Sequence, residues 1–143
     1  MPIWTRPIDL ATANANSANT AVASLGIEIT EIGDDFLRGR MPVDSRTVQP
    51  QGILHGGASV LLAETLGSFA ANYCLRSPEQ RAVGLEINAN HLRAVSSGWV
   101  TGTARPIHIG GSTQVWEILI KNEQGKTTCI SRITMAVIQI PVK

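Results

Sequence analysis

Between Ala58 and Leu75 the chain is almost entirely small and apolar, with one carboxylate, Glu64, in the middle and Asn72 near the end. Ala and Leu favour helix, and no proline interrupts the run. A helix apolar nearly all round belongs in a core or a bilayer. The central Glu64 argues for a buried helix over a membrane span. The remaining residues must then build a cover for that helix.

The cover reads as strands. Leu25, Ile27 and Ile29 alternate with Gly26, Glu28 and Thr30, which suits a half-buried strand. Gly33-Asp34-Asp35 supplies a turn, and Phe36 to Met41 returns as the second arm of a hairpin. A proline-bearing loop from Met41 to Pro50 leads to Gly52-Ile53-Leu54-His55-Gly56-Gly57, where the helix begins. Downstream, Ala82 to His91, Trp99 to about His108, Gln114 to Asn122 and Thr127 to Ile140 are strand-like, with Glu123-Gln124-Gly125 as a turn. Before all of these, Leu10 to about Ser24 predicts a modest helix capped by Asp9 and weakened by its asparagines. Short connections between successive strands imply antiparallel pairing. The expected fold class is therefore α+β, a single antiparallel sheet wrapped around one long central helix. Its open edges and outer face favour a homo-oligomer.

Composition narrows the functions. With 143 residues, 43% apolar and 16% charged, the chain suffices for one domain, residues 1–143. A net charge of +1 with scattered Lys and Arg gives no electrostatic footprint for nucleic acid. Cys74 and Cys129 lie in apolar stretches without metal-ligand spacing, so they read as packed thiols of a reducing compartment. The N-terminal residues lack a secretion signal, and the expected location is cytoplasmic, without membrane attachment. His55, His91 and His108 show no metal spacing, and no nucleotide-binding glycine motif occurs, so neither metal nor cofactor is expected. Gly57-Ala58-Ser59-Val60-Leu61 lacks the last glycine of a nucleophile elbow.

Two features can carry chemistry. An ionised Glu64 buried among Leu61, Leu62, Ala63 and Leu66 would be costly without compensation. It is either a structural acid, paired with an arginine or lying on a polar stripe, or a base or nucleophile tuned by desolvation. Ser68, one turn along the same face, either orients a water for Glu64 or bonds back to the helix backbone. The second feature is His55-Gly56-Gly57, where free N–H groups and the helix dipole can polarise a carbonyl. Glu64 lies roughly 13 Å from His55 along the helix, at about 1.5 Å per residue. One chain cannot easily bring both to one carbonyl, whereas an antiparallel helix from a second copy can.

Met41-Pro42-Val43-Asp44, Gln49-Pro50, Gly52, Leu54-His55-Gly56-Gly57-Ala58 and Ala63-Glu64 together resemble the hotdog-fold thioesterases of the PaaI and 4-hydroxybenzoyl-CoA thioesterase type. Gly84-Leu85-Glu86-Ile87-Asn88-Ala89-Asn90-His91 and Ile107-His108-Ile109-Gly110 are similar to the branch hydrolysing 1,4-dihydroxy-2-naphthoyl-CoA in menaquinone synthesis. The resemblance implies hydrolysis of an acyl-CoA, with an aryl group preferred, at a site between two subunits of a dimer of dimers. It assigns Glu64 as base or nucleophile, the Gly56 N–H as oxyanion donor, Gln49 and His55 as groups near the thioester carbonyl, and Ser68 as a water-positioning residue. Gly84, the segment His91, Leu92, Arg93, Ala94 and the segment His108, Ile109, Gly110, Gly111, Ser112, Thr113 correspond to substrate-binding positions, with Arg93 a phosphate contact. The glycine-rich turn departs from the pattern in offering no basic residue. A 3-hydroxyacyl thioester dehydratase and a non-catalytic acyl-CoA-binding module stay open as alternatives, because this fold hosts several functions.

Overall fold

The computed structural model describes residues 1–141. The predicted long helix, α3, spans Gly56–Asn72. His55 caps it in extended conformation, its Nδ1 accepting from the Gly57 N–H at 2.8 Å. The helix ends where the Asn72 side chain turns aside to β3: its Nδ2 donates to Ala82 O (3.0 Å), and the Ala82 N–H donates to its Oδ1 (2.9 Å). This pair pins the C-terminal end of α3 to the sheet.

Six antiparallel strands surround the helix in the order β1-β2-β4-β5-β6-β3. They are β1 Glu28–Ile32, β2 Leu37–Pro42, β3 Gln80–His91, β4 Trp99–Ile109, β5 Thr113–Lys121 and β6 Thr127–Gln139. The α+β expectation holds, and every predicted strand forms within a few residues of its expected limits. The β4–β5–β6 meander follows from short turns. The placement of β2 beside β4 and of β3 beside β6 was not expected. Strands β5 and β6 turn Trp116, Ile118, Ile120, Ile133 and Met135 inward, into the same buried cluster as Leu62 and Leu66 of α3. Each such side chain contributes about 1.5–3 kcal/mol by leaving water.

The predicted N-terminal helix is broken into α1, Leu10–Ala15, and α2, Ala21–Ser24, with Asn19 at φ 63° between them. The break falls at Asn19, a residue type that tolerates the left-handed region. Asn14 clamps both main-chain groups of Ile29 in β1, accepting from its N–H at 2.8 Å and donating to its carbonyl at 2.9 Å. That side-chain pairing anchors α1 to the sheet edge. Strand β3 forms the opposite edge. There Val83 and Leu85 are 43% and 67% exposed, and the register shifts between Gly84 and Glu86. No helix among the described residues is long and apolar enough to cross a membrane.

Candidate active site

Glu64 is exposed, contrary to the expectation that α3 buries it. The reason is that α3 has two apolar faces. Leu62, Ala63, Leu66, Gly67, Ala70 and Ala71 pack against the sheet. The other face, with Val60, Leu61, Thr65, Ser68 and Phe69, lines a groove whose far bank includes Ser17, Ala21 and Val22. Glu64 sits in that groove, which measures about 720 Å³ and falls within the size range of small-molecule sites. Phe69 and Tyr73 stack within it, with ring centroids 4.8 Å apart.

The Glu64 carboxylate makes no ion pair or hydrogen bond among the described residues. It is therefore not the structural acid paired with an arginine. Its closest constraint comes from β3. A Cβ built on Gly84 would lie 2.6 Å from Glu64 Oε2, so only glycine lets the strand pass this close to the carboxylate. Ser68 does not spend its hydroxyl on the helix; Thr65 does so instead, donating to Leu61 O at 2.6 Å. Within the described residues the Ser68 Oγ has no partner and shares the groove with Glu64.

The start of α3 forms a second polar centre. The Gly57 N–H is taken by His55 Nδ1, and the Ala58 and Ser59 N–H groups by His55 O. Among the described residues the Gly56 N–H alone of these four has no acceptor. Because Nδ1 of His55 accepts, the proton of its neutral ring sits on Nε2. His91, at the end of β3, points its ring tip at Gly56: a Cβ built there would lie 3.0 Å from Nε2. Gln49, Gly56, His91, Leu92, Arg93 and Ala94 share one groove of about 370 Å³. The Gln49 side-chain oxygen accepts from the Gln51 N–H.

The two centres do not meet within one chain. Glu64 and Gly56 are separated by about 12 Å along the axis at ~1.5 Å per residue. Gly84 joins the Glu64 centre rather than the groove of His91. The His108–Thr113 segment lies at the β4–β5 turn, closed by the Gly110 N–H donating to Thr113 O at 2.9 Å. Sequence reading found no cation in this turn, but the structure supplies one from elsewhere. Arg76 rests on Gly111, where an added Cβ would lie 2.8 Å from its Nη1. No periodicity or motif announces that contact. Nor does one announce the groove wall from α2. Both cysteines are buried as expected, and burial pushes the Cys74 thiol up to about 12.

A six-stranded antiparallel sheet wrapped on one long helix, with a lone carboxylate on the helix's outer face and an open N–H at its start, has the architecture of the hotdog fold. Comparison with known proteins agrees. The thioesterase superfamily profile matches residues 51–129. The chain is 51% identical to 1,4-dihydroxy-2-naphthoyl-CoA hydrolase of Escherichia coli K12, covering 95% of this chain and 99% of that protein. It is 53% identical to the proofreading thioesterase EntH of Cronobacter turicensis, covering 94% and 98%. The crystal structure of a thioesterase from Haemophilus influenzae superposes with a TM-score of 0.95 at 49% identity, covering 98% and 97%. The chain belongs to the thioesterase superfamily, has the hotdog fold and is a thioester hydrolase.

Proposed function

We propose that this one-domain protein hydrolyses acyl-CoA thioesters, with an aryl acyl group preferred, at a site formed by Glu64 of one copy and the Gly56 N–H of another. The observation that carries this reading is the unpaired Glu64 in an apolar groove, some 12 Å from the open Gly56 donor. Each centre lacks what the other offers. An antiparallel second α3 would set a carboxylate opposite a helix N-terminus, and the groove would lose its water. The exposed Val83 and Leu85 on edge strand β3 support such pairing.

In the reaction, a water oxygen bonds to the thioester carbonyl carbon while one water proton passes to Glu64. Charge collects on the carbonyl oxygen and is held by the Gly56 N–H. Collapse breaks the carbon–sulfur bond, and the departing thiolate takes the proton from Glu64, leaving acid and thiol. Alternatively the carboxylate attacks directly and water resolves the resulting anhydride. Label found in Glu64 after a single turnover in ¹⁸O-water would establish direct attack, with water opening the anhydride at the glutamyl carbon. Ser68 holds the water, Gln49 and His55 flank the carbonyl, and Phe69 and Tyr73 offer a planar acyl group a stacking surface. The homology to a 1,4-dihydroxy-2-naphthoyl-CoA hydrolase supports an aryl-CoA substrate; a place in menaquinone synthesis, a cytoplasmic location and a dimer of dimers belong to the same proposal.

The test is thiol release from a panel of aryl-CoA and alkyl-CoA thioesters by wild type and Glu64→Ala. The expected result is aryl preference in the wild type, with turnover lower by several orders of magnitude in the variant and fold and binding retained. Undiminished hydrolysis by Glu64→Ala would refute the assignment.

A further inference from the structure

The open N–H of Gly56 is a single donor, and a carbonyl oxygen gathering negative charge has room for two. An imidazole lies beside it. His91 ends β3 with its ring directed at Gly56: from the position of an added Cβ, Nε2 is nearest at 3.0 Å, with Cε1 at 3.3 Å and Cδ2 at 3.4 Å. The ring thus approaches Nε2 first, and its polar tip lies against the residue that bears the free N–H. Within the described residues neither ring nitrogen of His91 has a hydrogen-bond partner. The other imidazole at this helix start is differently engaged, because His55 spends Nδ1 on the Gly57 N–H.

We propose that His91 Nε2–H is the second donor to the thioester carbonyl oxygen, acting with the Gly56 N–H of the same chain. This rests on the thioesterase site described above and adds to it a catalytic residue. His91 donates a hydrogen bond and keeps its proton, so the proton balance of hydrolysis is unchanged. The absence of a side chain at Gly56 has a cause in this arrangement: a methyl group there would crowd the ring tip and push the donor away. His91 and Gly56 share their groove with Gln49, Ser59 and Arg93. Arg93 is the charged group nearest in sequence and suits phosphate better than a neutral carbonyl.

The experiment compares wild type, His91→Ala and His91→Gln on one acyl group carried by coenzyme A and by pantetheine, which lacks the nucleotide. His91→Ala is expected to lower kcat about a hundredfold on both substrates, with KM within about threefold. His91→Gln, which retains an N–H donor, is expected to recover at least about tenfold of that loss. A second reading uses the infrared band of a ¹³C-labelled thioester carbonyl bound to Glu64→Gln. The band should fall in frequency on binding, and adding His91→Ala should remove part of the fall. Unchanged kcat in His91→Ala, with KM raised for the coenzyme A substrate alone, would overturn the donor role and leave a cofactor-arm contact. A carbonyl band indifferent to His91 would overturn it too. If wild type itself released no thiol, the site as a whole would fail, and the two failures are told apart by that control.

Discussion

Replacing Gly84 by alanine should damage catalysis while sparing the fold. The added Cβ would stand 2.6 Å from Glu64 Oε2 and 3.8 Å from Ile133 Cδ1. Ordinary contact begins at 3.4 Å, so the carboxylate must retreat by about 0.8 Å, a shift that bound geometry translates into as much as a hundredfold in rate. The clash is with the tip of a flexible side chain, and the Gly84 backbone is not in the left-handed region. Alanine therefore strains nothing else, and it removes some freedom from the unfolded chain, a gain of up to about 1 kcal/mol. The expected outcome is kcat reduced roughly 10–100-fold for an aryl-CoA thioester, with Tm within about 4 °C of wild type. Thiol-release kinetics and calorimetry measure both. Wild-type kcat in Gly84→Ala would refute the claim that β3 positions Glu64, and a collapse of Tm would show that the contact is structural.

Other consequences are equally open to measurement. Gly56 occupies the first helical position, where proline is tolerated, and His55 already has the extended backbone that must precede proline (φ −68°, ψ 130°). Gly56→Pro therefore deletes the N–H and keeps the helix; kcat should fall about 10²–10³-fold relative to Gly56→Ala, which crowds His91 equally but keeps the donor. Equal rates in the two variants would remove the Gly56 N–H from the mechanism. Burial raises the thiols of Cys74 and Cys129, the former from 9.0 to about 12. Neither should react with a disulfide reagent at pH 8 until the protein unfolds. The folded state holds these protons more tightly than the unfolded one, so the contribution of Cys74 to stability is full below pH 9 and is lost as pH rises from there towards about 12, and that of Cys129 declines in the same direction. Equilibrium unfolding across that window should show the decline; stability rising with pH there would contradict it.

Much of the fold was legible because it is local. Alternation of Leu25, Ile27 and Ile29, the turn at Gly33-Asp34-Asp35 and the uninterrupted apolar run each announce an element from neighbouring residues. Strand order is not local: nothing in β3 says that it pairs with β6 at the sheet's edge. The exposure of Glu64 was misread because composition reports that α3 is apolar all round without saying which face meets protein. The sheet takes one face, and the groove below α2 is lined by the other. Asn14 was read as a helix-weakening residue, whereas its amide is the clamp on Ile29. His55, Gly56, Glu64 and Ser68 were legible because helix spacing places them relative to one another. The contacts of Gly84 with Glu64, His91 with Gly56 and Arg76 with Gly111 join separate elements, and only the fold brings them together.

Whether two copies share one active site is tested most directly by mixing two inactive proteins. Glu64→Gln and Gly56→Pro are unfolded together in equal amounts, refolded and assayed for thiol release. Random pairing makes half of the dimers mixed, each with one intact site of two, so activity should return to about a quarter of wild type. A mixture as inactive as its parents, with mixed dimers demonstrated by mass, would contradict the shared site.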